Sequence, residues 1–516
     1  MSYEKVLKMV PREYQKAIFE TATKKNTLVV LPTGTGKTLI AQMLTIDQFE
    51  KHPLEKIVIL APTRPLIEQH LKSFQDSLPE GWADMQLFTG KTPSDKRKKI
   101  WQTAEFIFST PQCIANDLAK RMYTLDEVSL LVVDEAHRCL KNYAYNKVAE
   151  RYKAQRENPK ILALTASPGS DKITIQQVCE NLAIDAVEVR TRESPDVKPY
   201  LQNLDFEKIE VDFPPEFLII KKLLEGIYDS KIEELKHRRI AFGYISKVQL
   251  LKKQSQLMNE LKRNKDPNKM CAVSACAQAI KISHAIELLE TQTLSSLIEY
   301  MKGLFAQAAE RKSKGVQRLV KDLRFTKAYS LAITSKIEHP KLEALKIQVK
   351  NKLQENPNAK IIVFAQFRDT ISKIEEELKK IDGAKPEIFV GQAIKKNSKG
   401  QKTGLKQKEQ KEMIQRFKSG EMNILLATSI AEEGLDIPEV SSVIFYEPVP
   451  SAIRTIQRAG RTARLSPGEL KILITKNTRD QIYHYAAHQK EKRMHKAILD
   501  INDDFKSGDR QKKLIF

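Results

Sequence analysis

The sequence predicts an α/β protein: two parallel-sheet domains with an all-helical domain inserted between them. Three observations predict this. Short apolar, β-rich runs recur from Asn26 to about Val189, as TLVVL, KIVIL, FIFS, LLVVD and ILALT, with amphipathic helical segments between them. The same alternation returns from Lys360 to about Thr475, as KIIVFA, EIFV, NILLAT, SVIFY and KILIT. Apolar runs that alternate with helices are the pattern of a parallel sheet covered on both faces. Between the two blocks the pattern changes. Strand signals and Gly or Pro become sparse, and apolar residues recur at helical spacing, as in FLIIKKLLEGIYDSKIEELK and SHAIELLETQTLSSLIEYMKGLF.

These shifts divide the chain into a first α/β domain at 1–205, a helical insertion at 206–335, a second α/β domain at 336–495 and a polar tail at 496–516. A length of 516 residues is consistent with about three domains. Hydrophobic residues at 41% and charged residues at 29% give a globular chain with several cores rather than a disordered one. The formal charge of +22 favours a polyanionic partner. No run of about 18 apolar residues occurs, and MSYEKVLKMV is not a signal peptide, so nucleic acid is favoured over a membrane. Within the insertion, residues 214–334 hold 22 Lys and Arg against 12 Asp and Glu, a charge suited to a backbone-tracking surface. Five cysteines, Cys113, Cys139, Cys179, Cys271 and Cys276, are mostly scattered. Cys271 and Cys276 are close enough for half a zinc site, but no second pair follows. Reduced, buried thiols and a cytosolic location are expected.

The first chemical motif is TLVVLPTGTGKT, residues 27 to 38. A β-run leads into Thr33-Gly34-Thr35-Gly36, and Lys37-Thr38 opens a helix. Glycines let backbone N–H groups wrap a phosphate, and the helix N-terminus faces its charge. Lys37 would reach the β- and γ-phosphates of ATP, and the Thr38 hydroxyl would ligate Mg²⁺. The strict phosphate-loop pattern has Gly where Leu31 stands. The second motif, LLVVDEAH, puts Asp134 and Glu135 at the carboxyl end of an apolar strand, where doubly wound sheets bind ligands. Asp134 would hold Mg²⁺ through water, Glu135 would position or deprotonate the attacking water, and His137 would couple the nucleotide to the next motif. The third, QRAGRTAR at 457–464, lies in the second domain. Arg461 and Arg464 are candidate arginine fingers, with Gln457 beside them. Together the three motifs describe two RecA-like domains closing on one ATP.

The ordered set of motifs resembles the superfamily-two helicases over nearly the whole chain. PREYQ, with Arg12 and Gln15, is similar to the adenine-reading Q motif; APTRPLIEQH, STPQ and TAS are similar to motifs Ia, Ib and III. VFAQF, ATSIAEEGLDIP and QRAGRTAR are similar to motifs IV, V and VI. The second domain, from IFVGQA through GRTAR, and the later TRDQIYHYAAHQKEKRMHKAI resemble archaeal Hef and the Fanconi anaemia M translocases. That resemblance implies ATP-dependent remodelling of forked and branched DNA in DNA repair, an insert that grips duplex arms, and a nucleoid-associated protein of an archaeal cell. It also implies nucleic-acid contacts at Thr63, Arg64, Thr89, Gly90, Thr110, Gln366 and Thr428, at strand ends where hydroxyls, amides and backbone N–H groups suit phosphates. Gly434 and Asp436 would sense nucleotide from the second domain.

Two departures matter. Ala463 stands where the family has Gly, a strained choice if that position needs positive φ. Hef proteins commonly carry a C-terminal nuclease, and with the chain ending at Phe516 no nuclease activity is expected of this polypeptide. The closing QKKLIF (Gln511, Leu514, Phe516) resembles a sliding-clamp peptide without its usual aromatic pair. Two competing functions share these features: a Dicer- or RIG-I-like ATPase stimulated by duplex RNA, and a non-catalytic nucleic-acid clamp.

Overall fold

The computed structural model of the chain describes residues 3–506, apart from 170, 244, 265, 312, 392–394, 397–401, 429–430, 432–436 and 464–465. All ten expected apolar runs form strands. In the first lobe these are β1 (Thr27–Val30), β2 (Lys56–Leu60), β4 (Phe106–Ser109), β5 (Val128–Asp134) and β6 (Ile161–Thr165). Two further strands, β3 (Met85–Phe88) and β7 (Ala186–Val189), close the edges of a parallel sheet of order β3-β4-β2-β5-β6-β1-β7. Sequence patterning did not mark these two because edge strands are covered on fewer sides and carry polar residues. The central strands are buried along their whole length, and each face packs into its own apolar core.

The second lobe follows the same rule. Strand β8 (Leu204–Val211) precedes the helical insertion, and β9 (Ile361–Phe364), β10 (Pro386–Phe389), a short ribbon of β11 (Lys395–Lys396) and β12 (Lys402–Thr403), β13 (Ile424–Ala427), β14 (Ser442–Phe445) and β15 (Gly468–Thr475) follow it. The main sheet has the order β10-β13-β9-β14-β15-β8 and is parallel throughout. Strand β8 shifts the boundary expected at 205/206. Its mostly exposed LDFEKIEV lacks an apolar run, yet it pairs with all eight residues of β15 and so belongs to the second lobe.

The insertion is helical, with helices Pro215–His237, Lys247–Leu261, Pro267–Thr291, Leu294–Ala309, Lys314–Val320 and Leu323–Thr334. Asp and Ser side chains cap several of them: Asp266 accepts from Asn268 N, Ser246 from Gln249 N, and Asp322 from Arg324 N. The domain is fastened to the second lobe through a buried polar seam. Thr370 donates to Gln292 Oε1 at 2.8 Å, Lys341 Nζ donates to Thr291 O at 2.6 Å, and Arg479 donates to Ser283 O at 2.7 Å. A seam of satisfied hydrogen bonds fixes orientation more sharply than an apolar contact of the same size.

The last helix, Arg479–Lys506, corrects the polar tail expected from 496. It leaves the second lobe and lays Met494, Ala497, Ile498 and Ile501 into the core of the first, where Asp504 pairs with Lys172 at 2.6 Å. Within KAILDINDDF, Ala497, Ile498, Ile501 and Phe505 are enough because they share one face of the helix, while Leu499 points to solvent. The helix thus straps one lobe to the other. The expected clamp peptide, Gln511, Leu514 and Phe516, lies outside the described residues. Cys113, Cys139, Cys179 and Cys276 are buried, and burial pushes the Cys276 thiol up to about 11. Among the described residues no helix is long and apolar enough to cross a membrane.

The second lobe also buries charge. Lys341 and Asp480 pair at 2.7 Å with no exposure, and Lys341 lies 4.9 Å over the Tyr446 ring. Arg458 is fully buried against the rings of Phe364 and Phe445. Near them, burial pushes the Glu447 carboxyl up to about 7, against the pull of Arg458 and Lys341. A carboxyl raised in the folded state stabilises the fold below its unfolded pKa, and that stability is lost as pH rises through the folded value. Between about pH 4.5 and 7 the loss should be of the order of 3 kcal/mol. Denaturant midpoints measured on either side of that window should converge in Glu447→Gln, and an unchanged slope in the variant would clear Glu447 of the effect.

Candidate nucleotide site and nucleic-acid interface

Strand β1 ends at Val30, and the chain turns through Gly34 (φ 82°) and Gly36 (φ 80°) into the helix Lys37–Lys51. Both glycines adopt the left-handed conformation that only Gly takes without cost. The turn is held from below by the first segment of the chain. Tyr14 Oη donates to Thr35 O at 2.6 Å, and Gln15 Nε2 donates to the same oxygen at 3.0 Å. Gln15 Oε1 in turn accepts from Arg12 N at 2.8 Å. A Cβ on Gly36 would meet Gln15 Nε2 at 2.4 Å, so glycine there serves both the turn and the close packing of this support. Lys37 Nζ donates to Leu31 O and Pro32 O at 3.0 and 3.1 Å, which folds the ammonium into the loop's own concavity.

Strand β6 lies between β1 and β5 in the sheet, so the acidic motif at the end of β5 faces the loop across one strand. Asp134 is buried, and its Oδ2 lies 2.7 Å from His70 Nε2. Burial pushes this carboxyl up, but the His70 hydrogen bond and the attraction of Lys37 hold it below its ordinary value. Tyr145 Oη donates to Asp134 O at 2.7 Å, fixing the backbone there. Glu135 adopts φ 52°, a conformation that costs a non-glycine residue about 1 kcal/mol and that clusters at functional sites. The bend sets Glu135 Oε2 3.2 Å from His137 Nδ1, which also lies 3.2 Å from Thr165 Oγ1 at the end of β6. Leu31 N donates to Thr165 O at 3.1 Å, so one residue joins the phosphate loop, the acidic motif and the TAS motif.

The second lobe reaches this site through its arginine motif. The helix Ala452–Ala459 ends at Gly460, where an added Cβ would lie 1.6 Å from Thr33 Oγ1 of the phosphate loop. Gln457 and Arg461 are buried within the same motif. Ala463 has φ 55°, the strained conformation expected if this position needed glycine. Ala463→Gly should therefore stabilise the second lobe by about 1 kcal/mol, read as a raised melting temperature. Gly434, Asp436 and Arg464 lie outside the described residues.

The expected nucleic-acid positions follow the same edge of the two sheets. Thr63 and Arg64 follow β2, Thr89 and Gly90 follow β3, and Thr110 follows β4, three strands adjacent in the order β3-β4-β2. Gln366 and Thr428 follow the neighbouring β9 and β13. Their exposure differs. Gly90 and Gln366 are exposed, whereas Thr89 is buried and its Oγ1 accepts from Lys91 N at 3.4 Å. Thr110 Oγ1 donates to Cys113 Sγ at 3.3 Å. Arg64 donates to Glu68 Oε1 at 2.6 Å, and Glu68 Oε2 also accepts from Lys411 of the second lobe at 2.5 Å.

Several residues of the site were not legible in the sequence. His70 lies in APTRPLIEQH on the helix Arg64–Ser77, next to the expected strand-contact loop, yet it touches the carboxylate of another motif. Tyr200, about 190 residues after the Q motif, lies under Arg12 with 4.9 Å between guanidinium and ring, beside Tyr14 at 5.8 Å. No local signal marks a pair brought together only by folding. His70→Ala should leave the buried carboxylate without its ring donor, at a cost of about 1–3 kcal/mol. Turnover should fall about tenfold with a smaller change in KM for ATP, and His70→Gln, which keeps a donor, should recover most of it. Equal losses in both variants would show that only the imidazole's shape matters.

A phosphate-cradling loop, paired carboxyls at a strand end one strand away and an arginine motif from a second parallel-sheet lobe are the arrangement of a two-lobed ATPase. Sequence and structure comparisons agree. The family model described as DEAD/DEAH box helicase matches residues 12–174, and the one described as Helicase conserved C-terminal domain matches 341–466. A third, described as "Putative ATP-dependent RNA helicase, helical bundle", matches 217–339, within the insertion. The helicase domain of Hef from Pyrococcus furiosus is 42% identical, with a TM-score of 0.70 over 92% of this chain and 98% of that one. The chain belongs to this Hef-type family of DEAD/DEAH-box helicases and is an ATP-hydrolysing helicase. Among curated relatives, "Putative ATP-dependent RNA helicase MJ1505" of Methanocaldococcus jannaschii is 39% identical over 95% of this chain. The ATP-dependent DNA helicase mph1 of Neurospora crassa is 33% identical over 92%, and the Fanconi anemia group M protein homolog of Mus musculus is 32% identical over 97%. The chain spans 61%, 42% and 26% of the length of these three relatives.

Proposed function

We propose that this helicase remodels forked and branched DNA, moving along one strand while the helical domain holds an arm of the junction. The observation that carries this reading is the polar seam that fastens a basic helical domain to the second lobe, so that a stroke of that lobe moves the insert with it. The names of two relatives, an ATP-dependent DNA helicase and a Fanconi anemia group M protein homolog, support DNA as the substrate. One relative carries an RNA helicase name, so duplex RNA is the second reading.

In this proposal Arg12 and Gln15 read the adenine, and Thr33 to Thr38 cradle the phosphates. Thr38 and Asp134 offer the hard oxygen ligands that fit Mg²⁺, which supplies neutralising charge beside the β- and γ-phosphates. Glu135 orients water for attack, and His137 reports to Thr165. Gln457, Arg461 and Arg464 bring positive charge from the second lobe, where Gly434 and Asp436 respond to the nucleotide. Thr63, Arg64, Thr89, Gly90, Thr110, Gln366 and Thr428 line the path of one strand. Thr89 and Thr110 do so through loop backbone, since their hydroxyls are already engaged. The tail peptide with Gln511, Leu514 and Phe516 would tether the motor to a sliding clamp, and a nucleoid-associated location accompanies this work.

The test is steady-state ATPase activity without nucleic acid and with single strand, linear duplex, forked DNA, a four-way junction and duplex RNA. Forks and junctions should stimulate most. Stronger stimulation by duplex RNA would overturn the DNA reading and leave the motor intact.

A further inference from the structure

At the end of the helical domain farthest along the helix Pro215–His237, the chain carries an aromatic ring that the fold does not cover. Phe242 is 78% exposed in the segment joining this helix to the next. Its exposure is not fraying. Ile240 N and Ala241 N both donate to Leu235 O, at 3.0 and 3.3 Å, and Ala241 is buried in the core with Ile232, Leu235 and Leu250. Three residues beyond the ring, Ile245 O accepts from Tyr228 Oη at 3.2 Å. The segment is therefore anchored before and after Phe242. Gly243, at φ 65° with open space around it, lets the chain turn there. A ring held in water between two anchored points forgoes the burial that stabilises other apolar side chains and is presented to a partner.

The surroundings indicate what that partner is. A cleft of about 600 Å³ is lined by Glu234, His237, Arg238, Arg239 and Asn268. Arg238 is fixed at its wall, donating to Asn268 Oδ1 at 2.7 Å and to Glu234 Oε1 at 3.3 Å. Arg239 is exposed and lies three residues before Phe242, within about 11 Å along the chain. Residues 231–269 hold eleven Lys and Arg against four Asp and Glu. An exposed aromatic ring three residues from an arginine that lines this cleft suits a nucleotide: a base would stack on the ring, and its phosphate would sit among the arginines. Every base has a π-face, so such a platform tolerates any sequence, as a motor that travels along a strand requires.

We propose that Phe242, with His237, Arg238 and Arg239, forms a binding site for an unpaired nucleotide, by which the helical domain recognises the point where a duplex opens. The placement at a branch rests on the DNA-remodelling reading above; stacking on an unpaired base does not. The experiment uses the full chain with Phe242→Ala, Phe242→Leu and Phe242→Trp, and three ligands: a fork with 2-aminopurine at its first unpaired position, a single strand with the same label, and a fully paired duplex. Phe242→Ala and Phe242→Leu should weaken fork and single-strand binding about tenfold, Phe242→Trp should restore it, and binding of paired duplex should stay within about twofold. Wild-type and Trp chains should quench 2-aminopurine, and the Leu chain should not. Leucine matching the wild type, or an equal loss on paired duplex, would overturn the site and leave the ring to a protein partner. If forks bind no better than single strands in the wild type, the branch assignment fails, while the stacking site is judged by the same variants on the single strand.

Discussion

Lys37→Ala should abolish ATP hydrolysis, with turnover falling by about 10³-fold or more, because it removes an ammonium aimed into the phosphate loop. The geometry explains why no neighbour can substitute. Lys37 Nζ lies against Leu31 O and Pro32 O inside the curve of the loop, and its field already reaches Asp134. The loop is also braced by Tyr14 and Gln15, so the variant should fold and bind nucleic acid within about threefold of the wild type. Turnover measured with saturating forked DNA is the decisive quantity. Retained hydrolysis would remove Lys37 from its role, and loss of nucleic-acid binding would mean that the lysine supports the fold instead.

The second large effect is expected at Gly460. Its added Cβ would fall 1.6 Å from Thr33 Oγ1 and 2.6 Å from Thr33 Cβ, so Gly460→Ala cannot keep the lobes at their present separation. A displacement of about 1 Å in a site assembled from two bodies costs roughly 10²-fold in rate. The lobes fold around separate cores, so their stability should change little. Thr33→Gly removes both clashing atoms. In a double-mutant cycle, Gly460→Ala should therefore cost far less in the Thr33→Gly background than in the wild type. Equal costs in both backgrounds would place the effect of Gly460 elsewhere, in the turn after its own helix.

Lys37 was marked by the sequence, whereas Gly460 lies in motif VI, where the sequence marked Gln457, Arg461 and Arg464 and only the folded contact with Thr33 marks the glycine. A phosphate loop is a local object: strand, glycine turn and helix start within the twelve residues 27–38, and the backbone itself makes the site. The central strands were legible for a similar reason, since a strand covered on both faces must be apolar throughout, and β10, though an edge, carries the apolar run EIFV. Of the strands that were missed, β3, β7 and β8 are edges, where half the surroundings are water and composition carries little signal, and β11 and β12 are a ribbon of two residues each. The same ambiguity hid the end of the last helix, whose polar sequence buries only a narrow apolar stripe.

Motif VI shows the limit within a single motif. Of the arginines in QRAGRTAR, Arg458 is enclosed between Phe364 and Phe445 as part of the lobe's interior, while Arg461 follows the Gly460 that meets the phosphate loop. Charge and spacing do not distinguish the two; the turn at the end of the helix does. The sequence by itself determined the chemistry: a phosphate loop, a carboxylate pair and arginines on two parallel-sheet lobes, with a basic helical domain between. Tertiary structure decided what each group touches. It brought His70 to Asp134, Tyr200 under Arg12, Lys411 to Glu68 and the last helix across to the first lobe. Local patterns report only the preferences of neighbouring residues, whereas these contacts join segments tens to hundreds of residues apart, and the packing of the whole chain selects them.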